Sequence, residues 1–280
     1  MSLKQKVKSQ PTLFKLVAPP IRVIKSLSPR AIRYSWVKRR CWSRYARNPI
    51  IEVSQSGITS QFHAISAKNY WHIFLNRDEM NAYLGTALLA GDVVLDIGGH
   101  VGAYTVPVAK YVGQNGHVFV FEPEDEGRAA IVRNLKLNDI SNCTVMDLAI
   151  GERDGVTSFF VRPEKDTHSL FERNSAASPT GQLLRVEKSV RSVDSLIASG
   201  EISRPQFIKI DVEGAELLAL EGMRNTIRST RAVYVECHTT LRVDQGLGDP
   251  VTLVSEKLVS LGSREVLQVD EFHVIGLFAH

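Results

Sequence analysis

Short apolar runs alternate with segments of helical periodicity from position 91 to the end of the chain. The apolar runs are rich in Val, Ile and Phe, which is typical of buried strands, and the segments between them carry apolar residues three and four positions apart. The predicted strands are VVLDI, HVFVFEP, CTVMDLAI, GVTSFFVR, FIKIDV and AVYVEC, and the predicted helices cover 102–112, 125–137, 214–223 and 250–261. These repeated strand–helix–strand units predict an α/β fold with a doubly wound, mostly parallel, Rossmann-like sheet.

Three further pieces flank or interrupt this pattern. REVLQV and FHVIGLFA are predicted to pair as a C-terminal antiparallel hairpin, which completes a main domain of residues 91–280. Residues 49–90 are predicted to form a lead-in with one hairpin, IIEVSQSGITSQFHAI, and one helix, RDEMNAYLGTALLA. The polar segment 163–188 breaks the rhythm. Because long loops in compact domains are often functional, we expect a substrate-side loop or lid there.

Residues 1–48 form a basic N-terminal arm that differs in charge from the rest of the chain. The arm holds 13 Lys and Arg and no Asp or Glu, so the net charge of +4 divides into +13 for the arm and −9 for the remainder. An acidic main domain argues against a nucleic-acid channel there. Because the arm mixes its cations with Leu, Ile, Val and Trp, three interpretations stay open: an anionic membrane surface, a solvated lead-in, or an organellar transit peptide.

The composition places the chain among globular proteins. With 280 residues and 44% hydrophobic content, it can bury a full core. No apolar run is long enough to span a bilayer, and no secretory signal is visible. The three cysteines are scattered without metal-type spacing and indicate reduced thiols. These observations predict a cytoplasmic protein, with peripheral contact at the inner membrane face if the arm binds lipid.

Acidic residues stand at or next to the ends of five predicted strands. Ligands of open α/β sheets bind at the carboxyl ends of the strands, near the switch in strand order, so these carboxylates are expected to surround one site. One such acid could simply cap a helix, but five at one sheet edge indicate a functional cleft. The five are Asp96, Glu122, Asp147, Asp211 and Glu236.

The turn after the first main-domain strand, DIGGHVG, departs from a dinucleotide-binding loop. Gly99 and Gly102 match the second and third glycines of G-x-G-x-x-G, but Ile97 stands where the tight turn needs the first. The turn instead fits D-x-G-x-x-x-G, in which Asp96 can accept hydrogen bonds, directly or through water, from an ammonium group. Gly98 would let the backbone approach that ligand, because a Cβ would block it.

Glu122 ends the second main-domain strand, at the place where a carboxylate can accept both hydroxyls of a ribose. The alternative role is that of an acid at a helix N-terminus. The strand–turn context favours the ribose interpretation.

Several motifs together resemble the FkbM-type methyltransferases. DIGGHVGAYT, FEPEDEGRAAIVRNLKLN, LAIGERDG, VDSL, IKIDVEGAELLALEGM and VYVECH occur in the order seen in that family, over about 90–239. KIDVEGAE is the most specific of them. The resemblance implies a class I methyltransferase that uses S-adenosylmethionine and typically methylates a hydroxyl group of a sugar, glycan or small natural product.

The resemblance also implies which positions contact the cofactor. They are Asp96, Gly98 and Gly102 at its amino-acid end, His100 beside them, Glu122 at the ribose, and Asp147 and Leu148 near the adenine. His100 stands where many members carry asparagine. It is expected to contact the loop backbone or the cofactor carboxylate, because a catalytic base must instead stand beside the acceptor hydroxyl.

Methyl transfer to an alcohol needs alignment of the reacting atoms, exclusion of water and removal of the hydroxyl proton. Asp211 is the first candidate for the base because its strand end faces the cleft, and Glu213, His238 and His168 are the others. Asp211, Glu236 and His238 are weaker candidates for a magnesium site. Pocket lining is favoured for them over metal binding, because their spacing is not a closed ligand set.

Two other functions remain as alternatives. An NAD-dependent oxidoreductase could use a similar sheet, but Ile97 and the DVEGAE element disfavour it. A non-catalytic, membrane-associated protein that retains the fold would explain the basic arm, but the set of strand-end acids opposes it. The predicted partner is therefore a small-molecule or glycan acceptor.

Overall fold

The computed structural model describes residues 50–64, 73, 87–161, 184–238 and 248–278. The basic arm, most of the predicted helix at 77–90 and His168 lie outside these residues. Within them, no helix is both long and apolar enough to cross a bilayer.

Twelve strands are present in the described part of the chain, and seven of them form the central sheet. Its order is β11-β12-β10-β9-β3-β4-β5. The last five strands are parallel to one another, and β12 runs antiparallel to both of its neighbours, β10 and β11. This arrangement confirms the predicted α/β fold and its C-terminal hairpin. The strands are β1 Ile50–Gln55, β2 Ile58–His63, β3 Val93–Ile97, β4 His117–Phe121, β5 Cys143–Met146, β6 Ala149–Ile150, β7 Gly155–Val161, β8 Leu184–Arg191, β9 Phe207–Ile210, β10 Ala232–Glu236, β11 Glu265–Gln268 and β12 His273–Leu277.

Helices cover both faces of the central sheet. The inner strands of the sheet are therefore buried, and their sequences are apolar runs. The helices are α1 Thr105–Val112, α2 Asp125–Leu137, α3 Val193–Ala198, α4 Glu216–Glu221 and α5 Pro250–Ser260, with a 3₁₀ turn at Ile227–Ser229. α1 begins three residues later than the predicted start at Gly102, whose φ of +78° places it in the preceding turn. The chain runs outward from β3 to β4 and β5 and then returns to β9 on the other side of β3. The switch in strand order therefore lies between β3 and β9.

A second sheet of three strands, in the order β6-β8-β7, lies beside the central one. It corrects two predictions. CTVMDLAI is not one strand, because β5 belongs to the central sheet and β6 pairs with β8. The predicted loop at 163–188 is wrong over its last residues, since Leu184–Arg191 pairs antiparallel with Gly155–Val161. LRVEKSVR alternates as a strand does, but its charged residues are also typical of a loop, so the sequence did not predict this strand.

The predicted lead-in hairpin is present as β1 and β2. It packs on the main domain: the side chains of Asn134 in α2 and of Asn138, which caps that helix, accept hydrogen bonds from the backbone of β2 at 2.8 Å. Apolar residues of the hairpin, including Phe62, share a buried cluster with Ile131 of α2. The hairpin therefore packs against α2 and stabilises it.

Candidate active site

A cavity opens at the carboxyl ends of β3, β4 and β9, at the switch in strand order. It offers about 910 Å³ of space, including the solvent at its open mouth. Its wall joins the glycine turn after β3 to Glu122, to an apolar side with Leu148 and Phe159, and to Asp211 and Glu213. Of the five strand-end acids singled out in the sequence, Glu122 and Asp211 line this cleft.

Gly98 fixes the backbone of the turn after β3. Its φ is +88°, and a Cβ at this position would lie 1.8 Å from the carbonyl oxygen of Asp211. Both Gly98 and Gly99 donate their backbone N–H groups to the Phe121 carbonyl, at 2.9 and 3.2 Å. The turn is thus held between β4 and the end of β9, so that only glycine can occupy position 98.

Asp96 is fully buried and does not line the cavity. Its carboxylate accepts a 2.6 Å hydrogen bond from the Thr105 hydroxyl, and its other oxygen lies 3.4 Å from the Lys209 ammonium. Burial raises the pKa of Asp96, with Lys209 opposing that effect. The structure thus places Asp96 behind the turn with its side chain in the core. It does not line the cavity, so of the predicted contacts with an ammonium group only the one through water stays a prediction.

Lys209 is the main functional residue that the sequence analysis missed. It lies in β9, is only 6% exposed, and donates to the Gly98 carbonyl at 2.8 Å and to Asp211 at 3.1 Å. Burial alone would lower its pKa, but Asp211 and Asp96 outweigh burial and raise it. A lysine inside the apolar run FIKI was the available signal, since a buried lysine requires acidic partners.

Glu122 lines the cavity and is held by backbone donors. His100 N–H donates to one of its carboxylate oxygens at 2.7 Å, and Glu124 N–H donates to the other at 2.9 Å. Burial raises the pKa of Glu122 to about 7, against the lowering effect of these hydrogen bonds. His100 has a φ of +49°, a conformation in which Asn, Asp and His are enriched. Its backbone therefore orients Glu122, and its side chain lines the cavity.

The predicted adenine contacts separate in the structure. Leu148 lines the apolar side of the cavity, whereas Asp147 does not. The Asp147 carboxylate is half exposed and pairs with Arg128 at 2.6 Å and with Lys188 at 3.4 Å. Gly102 also lies off the cavity wall, and its role is to permit the turn before α1.

A compact group of side chains lies next to the turn after β3 and consists of Asp211, Glu213 and His238. We name this group the carboxylate–histidine cluster. One ligand-type atom from each lies within 4.8 Å of the others. The His238 Nε2 atom is 3.6 Å from Asp211 Oδ1 and 3.5 Å from Glu213 Oε2. Glu236 lies at its edge, 3.7 Å from the same nitrogen. The structure thus unites all three predicted catalytic candidates that lie in the described residues.

The pKa values of all three side chains in the cluster are shifted. Burial opposes ionisation of Asp211, but Lys209 outweighs it and lowers the pKa of Asp211. Burial raises the pKa of Glu213 to about 7, with His238 opposing the shift. Burial also disfavours the charge on His238, but the Glu216 hydrogen bond and the Glu213 carboxylate outweigh it and raise its pKa to about 10. Perturbed groups gathered in a cleft are typical of functional sites.

The sequence matches the family described as the Methyltransferase FkbM domain over residues 96–259, more than half of the chain. The chain belongs to the FkbM methyltransferase family. It is also similar to the hexuronic acid methyltransferase AglP of Haloferax volcanii, with 31% identity over 236 residues that cover 82% of this chain and 89% of the relative. These sequence matches confirm the resemblance drawn from the motifs.

Solved structures with a similar architecture include an FkbM methyltransferase from Methylobacillus flagellatus KT, with 21% identity and a TM-score of 0.44. The similarity covers 70% of this chain and 46%, less than half, of that one. A fibrillarin from Aeropyrum pernix with natively bound S-adenosyl-L-methionine has 10% identity and a TM-score of 0.44, with 82% of each chain covered. The family assignment rests on the sequence matches alone.

This FkbM-family protein is an S-adenosylmethionine-dependent methyltransferase, and neither the oxidoreductase nor the non-catalytic alternative is favoured by the matches. The cavity fits the cofactor. The close-packed Gly98 turn lines the cavity without side-chain bulk, Glu122 offers a carboxylate for the ribose, and Leu148 and Phe159 offer an apolar surface for the base.

The raised pKa of Glu122 predicts pH-dependent cofactor binding. Ribose hydroxyls donate best to an ionised carboxylate, so affinity for S-adenosylmethionine should rise by about tenfold in total as the pH increases through 7, and it should level off above that. Glu122→Gln should weaken binding about tenfold at pH 8 and flatten the profile. Calorimetric titrations from pH 5.5 to 8.5 would measure this, with Glu126→Gln, an exposed acid of α2, as the control. Equal affinities of wild type and Glu122→Gln at pH 8 would exclude the ribose role.

Proposed function

We propose that this methyltransferase O-methylates a hydroxyl group of an acidic sugar, with hexuronic acids as the first acceptor class to test. The observation that carries the proposal is a single cavity lined by Glu122 and by Asp211 and Glu213, two members of the carboxylate–histidine cluster. The similarity to a hexuronic acid methyltransferase over most of both chains supports the choice of acceptor.

The residues divide the work between two ends of the cavity. When bound, S-adenosylmethionine supplies an electrophilic methyl group on a sulfonium sulfur. The Gly98 turn and Glu122 hold the donor end, and the apolar wall excludes water from the reacting atoms. The carboxylate–histidine cluster holds the acceptor hydroxyl and receives its proton as the new C–O bond forms.

Lys209 connects the two ends. It bonds the Gly98 carbonyl of the donor-side turn and the Asp211 carboxylate of the cluster. Because Lys209 is buried, these contacts hold the two ends at a fixed separation, which an in-line displacement requires.

Binding and transfer measurements test this function separately. Calorimetry should give one site each for S-adenosylmethionine and its demethylated product, and no heat with NAD. Methyl-labelled donor should then label a hexuronic acid glycoside, and the matched neutral hexoside should be at least about tenfold poorer because it lacks the carboxylate. Binding of NAD alone would contradict the methyltransferase. Equal labelling of both glycosides would contradict the acidic acceptor.

A further inference from the structure

We propose that the carboxylate–histidine cluster binds one divalent cation of the Mn²⁺ or Mg²⁺ type at the acceptor end of the cavity. The ligands would be Asp211, Glu213 and His238, with Glu236 at the edge of the site. This inference rests on the proposed function for its role in catalysis, but the binding site itself stands on the geometry of four side chains.

The orientation of His238 is the first argument. Its Nδ1 atom lies 2.8 Å from Glu216 Oε1, and the same oxygen accepts the Gly214 backbone N–H at 2.9 Å. Glu216 is buried and its Oε1 atom also accepts from Gly214, so Nδ1 is the nitrogen that donates to Glu216, whichever charge the imidazole carries. The Nε2 atom then points into the cluster. A carboxylate behind a histidine is the usual way in which proteins orient a histidine toward a metal ion.

The spacing around Nε2 is the second argument. Three carboxylate oxygens, from Asp211, Glu213 and Glu236, stand 3.5–3.7 Å from this one nitrogen. N–H···O hydrogen bonds are about 2.7–3.2 Å long, and one imidazole hydrogen cannot serve three acceptors. Atoms that share a cation at bond lengths of about 2.1 Å lie about 3.0–4.2 Å apart. The three oxygens therefore stand from Nε2 at separations that shared coordination of one cation allows, and the cation would replace the hydrogen on Nε2.

The division of Asp211 is the third argument. Its Oδ2 atom binds Lys209 at 3.1 Å, while its Oδ1 atom faces His238. One oxygen is thus held by a fixed cation and the other is presented to the cluster. Glu213 and Glu236 bring further negative charge to the same point, and a divalent ion would offset their mutual repulsion.

The ligand set indicates the kind of ion and its use. Carboxylates suit Mg²⁺ and Mn²⁺, and the imidazole favours Mn²⁺ of the two. Such ions keep open positions for water or for a substrate oxygen, and they lower the pKa of an oxygen bound to them. A cation here would also attract the carboxylate of an acidic sugar, which the bare cluster would repel. The acidic cleft and the acidic acceptor are then compatible.

The test is a titration of the full-length, chelator-treated protein with Mn²⁺, followed by electron paramagnetic resonance without donor or acceptor. One saturable site is expected, displaced by excess Mg²⁺. Glu213→Gln and His238→Gln should each weaken Mn²⁺ binding at least about tenfold, as ligands do. Glu216→Gln, which changes only the residue behind His238, should weaken it about tenfold. Glu265→Gln, an exposed acid of β11, should stay within about twofold of wild type.

Absence of saturable Mn²⁺ binding would overturn the proposal, and so would affinities unchanged in both Glu213→Gln and Glu216→Gln. Circular dichroism of each variant would show that it is folded. The cation site and the proposed function fail in different experiments. A protein that methylates the acidic glycoside at full rate after chelation contradicts the catalytic role of the ion, whereas a protein that binds Mn²⁺ but labels no sugar contradicts the acceptor alone.

Discussion

Lys209→Met should destabilise the folded protein by about 3–5 kcal/mol, the cost of removing one partner from a buried ion pair. The substitution keeps the length of the side chain but leaves Asp96, which is fully buried, and the inner oxygen of Asp211 without their cation. The Gly98 carbonyl would lose its donor as well. Urea denaturation at pH 8 would measure the change in the free energy of unfolding.

The pH dependence of this loss identifies its cause. Burial already raises the pKa of Asp96, and removal of Lys209 would raise it further. Below that pKa the carboxyl group is protonated in the folded protein and needs no cation, so the destabilisation should shrink from pH 8 to pH 5. Lys209→Met with Asp96→Asn should likewise recover part of the loss.

Lys257 provides a matched control for Lys209. It pairs with Glu221 on the surface between α4 and α5, where both side chains are partly exposed. Exposed pairs contribute only about 0–1 kcal/mol, so Lys257→Met should cost little. Equal losses of unfolding free energy in the two lysine variants would show that the buried contacts of Lys209 stabilise the protein no more than an exposed ion pair does.

Part of the site could be predicted from the sequence because strand ends are visible in it. The apolar runs located the strands of the parallel sheet, and parallel strands bring their carboxyl ends to one edge. This reasoning singled out five acids, of which Glu122 and Asp211 line the cavity. Glu213 and His238, proposed as further candidates for the base, lie beside Asp211.

The rest depended on register and side-chain direction, which the sequence does not contain. Asp96 pairs with Lys209 across β3 and β9. This partner becomes visible only when the strand order is known, and it explains why Asp96 faces the core. The ion pair between Asp147 and Arg128 likewise becomes visible only when the positions of β6 and α2 are known. Glu216 was overlooked because its role, orienting His238, arises from a contact between the start of α4 and the segment after β10.

Glu213→Gln should lower kcat about 10²–10⁴-fold while the affinity for S-adenosylmethionine changes by less than about threefold. Glu213 belongs to the cluster at the acceptor end, and a missing group in proton removal costs this much. Single-turnover transfer of the labelled methyl group to the acidic glycoside, together with calorimetry of the donor, would separate the two effects. Glu265→Gln again serves as the control.

The double variant with His238→Gln decides whether the cluster acts as a unit. His238 Nε2 and Glu213 Oε2 are 3.5 Å apart and act on the same acceptor oxygen in the proposed reaction. Residues that act together are strongly non-additive, so the double variant should be about as slow as the poorer single variant. Losses that multiply would mean that the two side chains act independently. In that case neither a shared cation nor a shared proton would link them.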